Sequence, residues 1–170
     1  MKTTLFTVTL CLITSVVSIA QHDHSKHAEL VTQTASPVFK DVNVGKAYRL
    51  YIQLKDALVA SKQDEAKKIS GELQKSLLVV SAGKAAASEA ANIAYASTLD
   101  EQRQAFAALS KEMSTLIKTN TLTSGQLYLE FCPMANDNEG AYWLSNEKDI
   151  KNPYFGQSML KCGVVKETIQ

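Results

Sequence analysis

Two short pieces near the C-terminal end hold the residue types with the most chemistry in them: Cys132-Pro133-Met134 and Met159-Leu160-Lys161-Cys162. Each pairs a thiol with a thioether. Cys132 and Met134 are two apart and share a face of an extended segment, whereas Met159 and Cys162 are three apart and share a face of a helical turn. Brought together, they would offer two thiolates and two thioethers. Such a soft donor set selects Cu(I), with Ag(I) as a mimic. Mg²⁺ and Ca²⁺ prefer oxygen ligands, and Zn²⁺ takes cysteine but rarely methionine. A second reading stays open: a Cys132–Cys162 disulfide with Met134 and Met159 as core filler. It would close a loop of ~30 residues and add roughly 3–4 kcal/mol. Spacing alone favours the disulfide, and the two readings coexist if metal binds only the reduced form.

A separate, weaker metal feature is the cluster His22-x-His24-x-x-His27, which contains every histidine of the chain. Imidazole suits Cu(II), Ni(II) and Zn(II). A solvated leader explains the same residues equally well. Trp143, Tyr142, Tyr154 and Phe155 read first as a small aromatic core, and alternatively as a wall shielding a Cu(I) site. The turn Asn136 to Gly140 lacks the ligand order of a calcium loop. Beyond His27 there is no histidine to form a Ser-His or Cys-His pair. Neither a Gly-rich phosphate loop nor a Cys-x-x-Cys pair is present. The chain therefore reads as a non-enzyme.

The compartment is set by the first 20 residues. Lys2 is followed by an apolar run from Leu5 to Val17, then by Ser18-Ile19-Ala20 with small residues at the −3 and −1 positions of a cleavage site. These are the parts of a secretory signal peptide. The run is short of the ~20 residues of a spanning helix. Cleavage removes Cys11 and leaves an even pair of cysteines in an oxidising compartment. With Lys2 gone, 17 basic residues face 17 acidic ones, a balance that argues against nucleic acid and against an electrostatic grip on a membrane. A periplasmic location and a protein free of the membrane are the expectations.

The elements that must position the thiols follow from periodicity. Residues 21–37 are polar and aperiodic and read as a flexible leader, leaving 38–170 as one helical domain. Ala47, Leu50, Tyr51, Leu54, Ala57 and Leu58 form one helical stripe over about 44–60, and Ala66, Ile69, Leu73, Leu77 and Val80 a second. Ser61 with Asp64 predicts a capping box at the start of the second helix. An Ala-rich stretch over 82–96, with Ile93 and Tyr95 as its large apolar groups, predicts a thin, tightly packed third helix. Thr98 and Glu101 predict another capping box, before a helix carrying Leu99, Phe106, Leu109, Met113, Leu116 and Ile117 to about Lys118. Leu127–Phe131 and Ala141–Ser145 then read as a strand pair across a turn, and Ser158–Cys162 as one helical turn. The expected architecture is mainly α: an antiparallel bundle of three to four helices with a small C-terminal β-hairpin and an irregular Cys-Met segment.

One long string carries a family resemblance: Phe131-Cys132-Pro133-Met134-Ala135, Gly140-Ala141-Tyr142-Trp143-Leu144-Ser145, Asn152-Pro153-Tyr154-Phe155-Gly156 and Met159-Leu160-x-Cys162-Gly163. It resembles the signature of a domain-of-unknown-function family of small exported proteins in Gram-negative bacteria. That family also occurs fused to the periplasmic adaptor subunits of copper/silver-type heavy-metal efflux pumps. Leu54 to Ala60 and the helix after it are similar to the family's first helical hairpin, so the resemblance covers roughly 45–165. It implies a metal-related periplasmic role, with Cys132, Met134, Met159 and Cys162 as candidate ligands and an efflux adaptor as candidate partner.

Overall fold

The computed structural model describes residues 36–170; the expected signal peptide, the expected leader as far as Ala35 and the three histidines lie outside the described residues. About half of the described residues are helical, in α1 (Val42–Val59), α2 (Gln63–Leu77), α3 (Lys84–Tyr95) and α4 (Leu99–Lys118). The strands are β1 (Val38–Phe39), β2 (Leu122–Ser124), β3 (Leu127–Cys132), β4 (Ala141–Ser145) and β5 (Val164–Ile169). The fold is mainly α with two small antiparallel sheets, one of β1 and β2 and one ordered β4-β3-β5.

Each helix packs on the next, and α4 also meets β4. The apolar stripes explain why. Ala47, Tyr51, Leu54, Ala57 and Leu58 of α1 are buried against Ala66, Leu73 and Leu77 of α2 and against Phe106, Leu109 and Met113 of α4 in one core. Ala86, Ala87, Ala90 and Ile93 are buried on α3, as close packing through small side chains requires, whereas Tyr95 is 82% exposed. A row of rings crosses the core: Phe39, Tyr48, Tyr51, Phe106, Tyr154 and Trp143 follow one another at centroid distances of 5.3–6.4 Å, within the range in which aromatic pairs attract.

Helix ends obey local chemistry. Asp41 caps α1 by accepting from the Asn43 N–H at 2.8 Å. The Thr98–Glu101 box forms in full: Thr98 Oγ1 accepts from the Glu101 N–H, and the Glu101 carboxylate from the Thr98 N–H. Thr98→Ala is expected to lower the unfolding free energy by about 1 kcal/mol in a urea titration. The box expected at Ser61 does not form. Ser61 sits at φ 56°, its hydroxyl accepts from Arg103 Nη2 at 3.0 Å, and Lys62 precedes α2 without a side-chain cap. A tertiary partner has taken the hydroxyl that a local cap would use. Between α2 and α3, a Cβ on Gly83 would lie 2.2 Å from the Leu77 carbonyl oxygen, so the close turn there requires glycine.

The hairpin of β3 and β4 matches the expected strand pair, with Glu130 opposite Trp143 and Cys132 opposite Ala141. Its connection carries Asn136, Asp137 and Asn138 at positive φ before Gly140, the left-handed conformations that these residue types tolerate best. The third strand, β5, is an addition to the expected architecture. It follows a 3₁₀ turn at Gly156–Met159, slightly earlier than the expected helical turn.

Candidate functional site

Cys132 ends β3, and Cys162 lies two residues before β5, which pairs with β3 on its other side from β4. Pairing of β3 with β5 therefore carries the two thiols together across 30 residues of sequence. Both cysteines are free, and their Sγ atoms stand 3.0 Å apart. Cys132 is fully buried and Cys162 half-buried. The hydrogen bond between the thiols, then burial and the nearness of Cys132, push the Cys162 thiol above its ordinary pKa. Any metal ion bound there would have to displace a held proton, so its uptake would be favoured by rising pH.

The Cys162 segment is held by Asn152, itself fully buried. Its N–H donates to the Leu160 carbonyl at 2.9 Å, and its Nδ2 to the Cys162 carbonyl at 2.7 Å. Its Oδ1 accepts from the N–H groups of Tyr154 and Phe155. One side chain thus ties both ends of the 152–162 loop. Asn152→Ala keeps the bond to Leu160 but removes the side-chain partner of the Cys162 carbonyl and of the Tyr154 and Phe155 N–H groups, and an expected loss of about 2–3 kcal/mol in thermal or urea unfolding checks its role. Gly163, at φ 151°, brings the backbone against the aromatic core: a Cβ there would meet Trp143 Cη2 at 2.8 Å.

Trp143 is fully buried and Tyr154 nearly so, their rings edge to face at 5.9 Å. Tyr154 donates to the Tyr142 carbonyl at 2.6 Å, and burial holds its hydroxyl well above the usual tyrosine range. Tyr142 is exposed and Phe155 half-buried. Of the four expected aromatics, Trp143 and Tyr154 thus belong to the core, and Trp143 also lies against Gly163.

The two methionines are placed differently. Met159 ends the 3₁₀ turn, half-buried, and its carbonyl accepts from the Cys162 N–H at 3.0 Å. Met134 is 48% exposed, which removes it from the core-filler role, and lines a shallow groove with Arg103, Tyr154 and Phe155. The thiols are the pair that the fold brings into contact. Among the described residues, no group of three or more His, Cys, Asp or Glu that could hold a metal ion is present.

Two side chains escaped the sequence reading. Glu130 is fully buried two residues before Cys132 on the same strand face. Burial pushes its carboxyl up to about 8, against an opposing pull from Lys55. Trp143 Nε1 lies near enough to favour the charged carboxylate somewhat, yet hydrogen-bond geometry is not reached: neither carboxyl oxygen nor the indole N–H has a partner. Lys55, almost wholly buried, pairs with Asp56 at 2.8 Å. Arg103 donates to the carbonyls of Pro153 and Leu58 and to Ser61, which fastens the loop after β4 to the α1–α2 corner. A polar residue at an inward position of β3 was the available signal for Glu130. Arg103 carried none.

Residues 47–125 match the model of a protein family of unknown function, DUF3347. The matched span holds most of α1, all of α2, α3 and α4, and β2. It stops before β3, so Cys132, Met134, Met159 and Cys162 lie outside it. No curated protein and no solved structure matches the chain. No helix among the described residues is long and apolar enough to cross a membrane.

Proposed function

We propose that this protein is an exported, periplasmic, non-catalytic metal-binding protein that holds Cu(I) between the thiolates of Cys132 and Cys162. The four described helices act as an antiparallel bundle that supports the Cys-Met segment, with Met159 and Met134 as softer donors. The observation that carries the reading is the 3.0 Å approach of two free thiols from distant parts of the chain. A metal at a bond length of about 2.3 Å with tetrahedral angles would set two sulfurs about 3.8 Å apart. An opening of under 1 Å admits it, and the half-buried Cys162 on its loop can supply that movement. The buried Trp143 and Tyr154 beside the loop support exclusion of water and oxidant. Buffering of the ion, or its transfer to a heavy-metal efflux adaptor, is the role that the resemblance of the C-terminal string supports. His22, His24 and His27 would form a separate, weaker site on the leader.

The test is an anaerobic titration of the reduced protein with Cu(I) against a chromophoric chelator. One copper per chain is expected, with uptake that falls as pH is lowered. No competition with the chelator by the fully reduced protein would overturn the reading.

The same distance favours a second reading. Closing from 3.0 Å to the ~2.05 Å of a disulfide needs about the same movement. The protein would then be a stapled interaction module without metal. Its mark is a mass lower by two hydrogens and no copper uptake after reduction.

A further inference from the structure

Away from the thiols, a groove of roughly 740 Å³ runs between the outer face of α4 and the β4-β3-β5 sheet. Its α4 wall extends from Gln104 to Lys118, about 21 Å at the helical rise. That wall is low, because Ala107 and Ala108 stand where larger residues would fill the space. The opposite wall is Leu129 and the exposed ring of Tyr142, which packs on Phe131 at 4.5 Å. The floor is thus apolar and the rim basic. Lys111 is exposed and has no ion pair among the described residues. Lys166 stands over the Phe131 ring at 5.4 Å. Lys118 is paired with Glu167, the acidic residue that lines the groove.

We infer that this groove docks an acidic, extended segment of a partner protein, with apolar residues between its carboxylates. Charge complementarity carries the choice: three lysines face one glutamate, and that glutamate already occupies Lys118 as a carboxylate ligand would. Lys111 and Lys118 are seven residues apart on one helix, about 10.5 Å, a gap that their flexible side chains bring within reach of carboxylates four residues apart, about 13 Å, on one face of an extended chain. A groove of this length suits a peptide better than a compact ligand. The inference is independent of what the thiols bind.

The probe is a fluorescein-labelled heptapeptide with glutamates at its first, third, fifth and seventh positions and leucines at the second, fourth and sixth, so that carboxylates and leucines take opposite faces of the extended chain, followed by anisotropy with metal chelated and thiols reduced. Binding to the unaltered protein should weaken as salt shortens the screening length from about 10 Å at 0.1 M to 3 Å at 1 M. Lys111→Glu combined with Lys166→Glu should weaken it by about tenfold or more. Ala108→Phe should block the floor, and Glu167→Gln should tighten binding several-fold by freeing Lys118. Equal binding of a lysine-for-glutamate peptide, or of the acidic peptide to the double charge reversal, overturns the inference. So does a protein that ignores the peptide, whether or not it binds phosphatidylglycerol vesicles.

Discussion

Cys132→Ser is expected to abolish tight Cu(I) binding by the reduced protein, with a fall in affinity larger than the roughly 10–100-fold that loss of an outer-shell partner costs. The reason lies in position as well as in donor strength. Cys132 is fully buried at the end of the central strand, so its thiolate is the fixed half of the pair and cannot be replaced by a group from elsewhere. Cys162→Ser should have a similar effect, because a single thiolate cannot span the ion. Met159→Leu should weaken binding far less, since a thioether carries no charge, and Met134→Leu least, given its exposure in the neighbouring groove. Competition with a chromophoric Cu(I) chelator under anaerobic conditions ranks the four variants. Equal affinity in Cys132→Ser and the unaltered protein would remove Cys132 from the site.

Glu130→Gln is expected to stabilise the metal-free protein near pH 8 and to destabilise it slightly near pH 4, where only the cost of the amide's buried donors remains. The folded-state carboxyl titrates at about 8, against an ordinary value of 4.5. Below 4.5 both folded and unfolded chains hold the proton, and the group contributes no pH dependence. Between 4.5 and 8 the unfolded chain releases its proton while the folded chain keeps it. The unfolded state is therefore increasingly favoured as pH rises, until the dependence flattens above about 8. At pH 7 this cost, reduced by the amide's own buried donors, leaves a gain of on the order of 2 kcal/mol for the variant. Urea unfolding of both proteins from pH 4 to 8.5, with a chelator present, measures it. A constant difference across that range would show that Glu130 does not hold its proton in the folded state.

The parts of this fold that were legible in the sequence are those where one local rule acts alone. The stripe of α1 and the Thr98–Glu101 box needed only helical periodicity and a free backbone N–H, and both are present. The hairpin was legible because aromatic and aliphatic residues flank a turn of Asn, Asp and Gly. Strand β5 was not, because Val164 to Ile169 lies at a sheet edge and is mostly exposed, so no apolar alternation marks it. The failed cap at Ser61 and the clamp by Arg103 are one event seen from two ends: a residue 42 positions away decided the use of the hydroxyl. Asn152 was visible only as a break before Pro153, although it sets the loop that delivers Cys162. The proximity of the thiols follows from the pairing of β3 with β5, and for that reason spacing alone favoured the disulfide without excluding the metal site.

Native mass spectrometry of the protein taken from the periplasm of copper-fed cells, beside its Cys132→Ser variant, tests the central claim most directly. The account predicts a copper adduct on the unaltered chain that is missing from the variant. A metal-free chain lighter by two hydrogens, which takes up no copper after reduction, would contradict it.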